Sequence, residues 1–125
     1  MNAAFVFLWM IFFHIIDDFY IQAAWLSSGK QKSWWQKNAP DELYKYDYIW
    51  ALIMHSFSWV FMIMLPIAYF KGFTIDSVFV VIFIVNVVLH ACCDNLKAND
   101  KKINLWHDQL FHLVQILATF TMVFE

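Results

Sequence analysis

Arginine is absent from this chain, glycine and proline occur only twice each, and charged residues make up just 14% of it. Each scarcity excludes something. A soluble domain carries about a quarter charged residues, so a chain that is 62% hydrophobic and 21% aromatic is matched to lipid rather than to water. With so little Gly and Pro there is little material for hairpin turns, and the apolar runs show no period-two alternation, which argues against a transmembrane barrel. Helices remain as the way to satisfy the backbone in a bilayer. The lysines form no dense block and the net charge is −2, so a nucleic-acid surface has no electrostatic basis. Cys92 and Cys93 are adjacent, cannot staple distant segments, and read as small residues at a helix end.

A span needs roughly 20 apolar residues. Four stretches qualify, at about 3–26, 46–70, 73–93 and 103–124, and they nearly exhaust the sequence. The expected fold is therefore all-α, a single polytopic membrane domain over 1–125 built from about four transmembrane helices. The first stretch has no basic leader and carries His14, Asp17 and Asp18, so it is expected to stay as a span rather than leave as a signal peptide. Lys71 and Gly72 predict a tight hairpin between the second and third spans. The connection 27–45 holds Trp34 and Trp35 and leads to Tyr44, Tyr46 and Tyr48, aromatics that favour the headgroup level, so it is expected on the membrane surface. Seven of the eight lysines fall in the first and third connections. The positive-inside rule then puts those connections in the cytoplasm and both termini outside, in a multi-pass membrane protein.

Each span also carries polar residues that lipid penalises, by about 2.5–3.5 kcal/mol for an aspartate at a helix centre. They are not scattered. His14, Asp18 and Gln22 recur at i, i+4, i+8, with Asp17 beside them; Asp47 and His55 share one stripe; Asn86, His90, Asp94 and Lys97 form another; and Asp108, His112, Gln115 and Thr119 a fourth. Because the chain reverses at each span, His14, Asp17, Asp18, His55, His90, Asp94, Asp108 and His112 fall toward the same, lysine-rich face. One cluster inside the bundle is expected.

Imidazole and carboxylate together suit Zn²⁺, Mn²⁺ or Fe²⁺, and a bundle core is a normal place to assemble them. The competing readings are a salt-bridged network that only fixes helix packing and a proton or ion path. The path would need polar groups in the other half of the bilayer, where 5–13, 61–65 and 78–85 are almost uniformly apolar. No H-E-x-x-H, Glu-x-x-His or G-x-S-x-G occurs, so zincin, carboxylate di-iron and serine-nucleophile chemistries lack their motifs. Haem between paired histidines gains nothing from several carboxylates. His107 points about 100° away from Asp108 and reads as interfacial, and Met54, Met62 and Met64 read as packing or lipid-facing residues.

The segments His14-Ile-Ile-Asp17-Asp18-Phe19-Tyr20-Ile21-Gln22, His90-Ala-Cys-Cys-Asp94-Asn-Leu-Lys97 and Asp108-Gln-Leu-Phe-His112, with His55 between them, resemble domain of unknown function 3307, a family of small bacterial and phage membrane proteins. The likeness covers nearly the whole chain, and the label implies no activity. A looser likeness to inner-membrane metal-dependent hydrolases rests on the intramembrane His and Asp alone.

The leading functional expectation is a metal-dependent hydrolase acting on a membrane lipid or lipid-linked, phosphoester-type substrate. His14, Asp17 or Asp18, His90, Asp94, Asp108 and His112 are the expected ligands. His55 is a further ligand or the general base, Lys97 holds a substrate anion, and Gln22 and Gln109 orient ligands. The alternatives are a non-enzymatic membrane interaction protein, including a phage-encoded factor acting on a host membrane protein or a homo-oligomer, and an ion or proton transporter.

Overall fold

A computed structural model describes residues 2–124, so Met1 and Glu125 of the expected 1–125 domain lie outside the described residues. Among these the chain is all helical, with no strand. Helix α1 (Ala3–Ile16) continues through a π-helical turn, Asp17–Ile21. Two short helices, α2 (Ala24–Gly29) and α3 (Lys32–Asn38), and a 3₁₀ turn at Glu42–Tyr44 follow. Three long helices complete the chain, α4 (Asp47–Phe70), α5 (Ser77–Ala98) and α6 (Leu105–Val123).

Local chemistry sets most of these boundaries. Asn2, Asp76 and Asn104 cap α1, α5 and α6, their side-chain oxygens accepting from Phe5, Phe79 and His107 N–H. The cap at Asp76 corrects the expected start of the third span, which moves from 73 to Ser77 and runs on to Ala98. The connection from α4 is a Schellman turn: Gly72 at φ 65° donates to Tyr69 O, and Phe73 N–H reaches back to Ala68 O. Pro66 lies inside α4 without ending it, as lipid-embedded helices tolerate.

The first span differs most from expectation. The apolar run predicts a span reaching 26, but the helix stops at Ile21, Gln22 and Ala23 turn extended, and α2 begins at Ala24. No Gly or Pro marks the break.

Aromatic pairs fix how the long helices run. Trp9 meets Tyr69 and His14 meets Trp59, while Phe7 meets Phe120 and His14 meets His112, so α1 is antiparallel to α4 and α6. Phe57 meets Phe83 and His55 meets His90, so α4 and α5 are antiparallel. Helix α4 is central, packed on α1, α5 and α6. One half of the bundle is an apolar core of Val6, Met10, Ile63, Met64, Ile67, Ile116 and Val123. Outside, the bundle is greasy: Val78, Val81, Val85 and Val88 line the outer face of α5, and Phe57 and Phe61 that of α4, all about half exposed. Such surface is matched to lipid.

Three stretches, Ala3–Ile21, Glu42–Phe70 and Ser77–Ala98, are long and apolar enough to cross a membrane. The fourth expected span, α6, has the length at 19 residues, but His107, Asp108, Gln109, His112 and Gln115 dilute its apolar character.

The connections before α4 and before α6 lie at the same end of the bundle, joined by Asn99, which accepts from Lys32 N–H (2.6 Å) and donates to Lys30 O (2.8 Å). Between α1 and α4, Trp25, Trp34 and Trp35 pack edge to face, and Trp35 Nε1 donates to Gly29 O.

Candidate metal centre

Each polar stripe turns residues inward at this lysine-rich end, although Asp47, on the stripe of His55, is exposed and takes no part, and the cluster sits between the apolar core and the connections. A buffer layer separates it from that core. Asn86 Nδ2 donates to Thr119 Oγ1 (2.8 Å), and Gln115 Nε2 donates to Asn86 Oδ1 (2.8 Å) and to its backbone carbonyl (2.9 Å). These three residues staple α5 to α6, with Gln115 Oε1 left as the buried atom of the trio that has no partner.

One turn along α5 from Asn86, His90 is fully buried, 0% exposed, and neither of its ring nitrogens has a partner. Its ring packs against both Trp59 and His112, each with centroids 4.2 Å away, and those two rings are themselves 5.1 Å apart. An unpaired polar atom in such a place costs about 1–3 kcal/mol, and buried polar groups are as a rule satisfied. His55 packs beside it, ring centroids 5.2 Å apart. The Nε2 atom of His55 faces Asp18 Oδ1 (3.6 Å) and Asp94 Oδ2 (3.9 Å), while its Nδ1 faces Asp17 Oδ2 (4.0 Å).

Side chains here form two groups, each able to hold a metal ion: Asp18 with His55 and His90, and Cys93 with Asp108 and His112. Within each group the ligand atoms lie within 4.8 Å of one another. The expected single cluster is thus partitioned, and the divider is Gln109. Trp59 Nε1–H donates to His14 Nδ1 (2.8 Å). Indole nitrogen only donates, so Nδ1 is the acceptor and Nε2 of the neutral ring carries the proton, which it gives to Gln109 Oε1 (2.9 Å). The other end of that amide is therefore the NH₂ group. It donates to Asp18 Oδ2 (3.2 Å) and Asp108 Oδ2 (3.3 Å). Both carboxylates are held by their Oδ2 atoms and present Oδ1 to their own group, an arrangement that orients ligands from behind.

The remaining expected residues fall into place around this frame. His14, expected as a ligand, has both ring nitrogens committed and acts as a link in the orienting chain. Asp17, also expected as a ligand, accepts from Ser58 Oγ (2.6 Å) and backs His55. Asp94 is paired with Lys30, whose Nζ lies 2.8 Å from its Oδ2. Gln22 does not touch a ligand; its Oε1 accepts from that same Lys30 Nζ (2.8 Å). Lys97 pairs with Asp108 Oδ2 (3.2 Å) and is one-third exposed at the mouth. His107 is exposed, apart from the cluster.

Four participants were not singled out in the sequence. Lys30 is buried to 5% exposure, rare for a lysine unless paired, and reaches the site only because α2 folds back. Trp59 and Ser58 follow His55 at i+4 and i+3, and Cys93 follows His90 at i+3, so helical spacing could have marked all three.

A cavity of about 50 Å³ lies among Asp18, His55, Asp94, Asp108 and His112, room for an ion and a few water molecules. It adjoins an open cleft of about 460 Å³ that shares Gln22, Lys30, Asp94 and Lys97 and adds Ser27 and Lys101. No family model, no curated protein and no solved structure matches this chain.

Proposed function

We propose that this chain is a metal-dependent hydrolase of the membrane, working at its lysine-rich face on a lipid or lipid-linked substrate of the phosphoester type. His90 carries the reading, because a fully buried imidazole with two unpartnered nitrogens, grouped with Asp18 and His55 so that their ligand atoms lie within 4.8 Å of one another, is what a metal ligand presents. Charge supports it. Asp17, Asp18, Asp94 and Asp108 confront Lys30 and Lys97, leaving two negative charges, which one divalent cation would neutralise. Uncompensated charge in such surroundings costs several kcal/mol.

Asp18, His55 and His90 are the ligands of this reading, with Asp94 within reach and Zn²⁺, Mn²⁺ or Fe²⁺ as the ion. The ion would supply Lewis acidity toward a phosphoryl oxygen. Asp17 Oδ2 faces the Nδ1 side of His55 from 4.0 Å and has no hydrogen-bond partner of its own, and the Trp59–His14–Gln109 chain aims Asp18. Lys97 and Lys101 line the open cleft where an anionic group would arrive, and Lys97 at the mouth is placed to hold it.

In this reading α6 is the fourth crossing, its exposed Leu110, Val114 and Leu117 facing lipid and its polar stripe turned to the cluster. In the same reading the lysine-rich end faces the cytoplasm of a bacterial cell and both termini lie outside, as the lysine asymmetry favours, and the tie to domain of unknown function 3307 rests on the segments 14–22, 90–97 and 108–112 alone. The transporter alternative has little to use beyond the buffer layer, where the buried side chains are Val6, Met10, Ile63, Met64 and Ile67.

One observation favours a second reading. The Lys30 ammonium already sits against Asp94, as it would in a metal-free network that only fixes packing. Activity tests the proposal: chelated protein in mixed micelles should lose hydrolysis of phosphoester lipids and regain it with Zn²⁺ or Mn²⁺, and Asp18→Asn should stay inserted but inactive. Turnover indifferent to both treatments, or none by the metal-loaded protein on any phosphoester lipid, overturns it.

A further inference from the structure

We infer that Cys93, Asp108 and His112 form a second metal position, a thiolate-containing zinc site beside the first, so that the centre is dinuclear. This rests on reading the cluster as a metal centre and goes further in ion number, ion identity and substrate charge.

Two of the three ligand-to-ligand distances come close to the edges of a zinc tetrahedron, and the third lies within 4.8 Å. Bonds of about 2.0–2.2 Å to nitrogen or oxygen and about 2.3 Å to sulfur place tetrahedral ligand atoms about 3.4 Å apart, or about 3.6 Å where one is sulfur. Cys93 Sγ lies 3.6 Å from Asp108 Oδ1, and His112 Nε2 lies 3.1 Å from that same oxygen. All three side chains are buried, and His112 Nδ1 has no partner of its own. Asp108 is prepared for one-oxygen ligation: Lys97 Nζ and Gln109 Nε2 hold its Oδ2, leaving Oδ1 to Cys93 and His112.

Ligand chemistry selects the ion. A thiolate joined to imidazole and carboxylate favours Zn²⁺ over the harder Mn²⁺ or Mg²⁺, and a coordinating thiol is deprotonated outright. The two positions are neighbours, since the same Gln109 amide holds Asp18 and Asp108 and the His90 and His112 rings are stacked. Paired ions are a recurrent device for phosphoryl substrates, clamping attacking and leaving oxygens together.

Charge then narrows the substrate. With Cys93 as thiolate, five negative groups face two ammonium groups, and two divalent ions overcompensate by one positive charge. A phosphodiester, with its single negative charge, matches that surplus; a doubly charged phosphomonoester does not.

The test is metal stoichiometry with a spectroscopic marker. Chelated protein in detergent, reloaded with Zn²⁺ or Co²⁺, should bind two equivalents per chain, and the Co²⁺ form should show thiolate-to-cobalt charge-transfer absorption in the near ultraviolet. Cys93→Ser should lose that band and one equivalent, whereas Cys92→Ser should keep both. Asp18→Asn should lose one equivalent and keep the band. The native Co²⁺ spectrum needs no variant to fold. One equivalent without the band overturns the second site and leaves the single-metal reading standing; two equivalents without the band overturn the thiolate site; no binding at all removes both.

Discussion

Replacing Lys30 by methionine separates a metal centre from a packing network. The ammonium is buried 2.8 Å from Asp94 Oδ2 and is steadied by Gln22, so methionine keeps much of the apolar stem while deleting the charge. Removing one member of a buried ion pair strands the other, at a cost of about 3–5 kcal/mol. Metal-free Lys30→Met, unfolded in detergent by rising denaturant and followed by circular dichroism, should show a loss of that order. In a metal centre the vacated space releases Asp94, 3.9 Å from His55 Nε2, to serve as a ligand. The variant should then bind Zn²⁺ or Mn²⁺ at least as tightly as the parent. Metal at 100 times its dissociation constant should return about 2.7 kcal/mol, most of what was lost. In a packing network nothing replaces the lysine and the loss persists whatever is added. A variant that stays destabilised in saturating metal would refute the reasoning, as would one that is fully stable without it.

Three further outcomes are expected. Trp59→Phe deletes the donor that sets the His14 tautomer and with it the Gln109 amide, so metal affinity should drop about 10- to 100-fold in competition with a chelator; unchanged affinity would show that the chain from Trp59 orients nothing. Gln115→Leu removes two bonds to Asn86, and since such bonds between membrane helices average about 0.6 kcal/mol, stability should fall by about 1 kcal/mol with metal content unchanged. Cysteines placed at Lys32 and Lys101, in a chain lacking Cys92, should resist impermeant thiol reagents in intact cells while one at Lys71 is labelled; the reverse pattern inverts the orientation.

The stripes were legible because a helix repeats every 3.6 residues and lipid leaves few polar residues to confuse the pattern. His14 with Asp18, His90 with Asp94 and Asp108 with His112 announce inward faces, and chain reversal puts them at one end. Their partition was not legible. Whether His14 ligates or orients depends on the direction of its ring nitrogens, which Trp59 and Gln109 decide across helices. Lys30 was hidden because the reversal at Gln22 and Ala23 uses neither Gly nor Pro, and its burial follows from a tertiary contact with Asp94. Cys93 reads in sequence as a small residue at a helix end, although it shares a face with His90. The shift of α5 to Ser77 was readable, since Asp76 is a good cap, but the apolar run from Phe73 masked it.

The account depends most on the cluster holding a metal ion, and elemental analysis of protein purified without chelators measures that directly. It predicts stoichiometric divalent metal in the parent chain, loss of the equivalent held with Asp18 and His55 in His90→Ala with the bundle still inserted, and full retention in His107→Ala, whose imidazole is exposed outside the cluster. A parent chain without metal that also takes up none from Zn²⁺, Mn²⁺ or Fe²⁺ solutions, or a His90→Ala variant that keeps the parent's content, would contradict it.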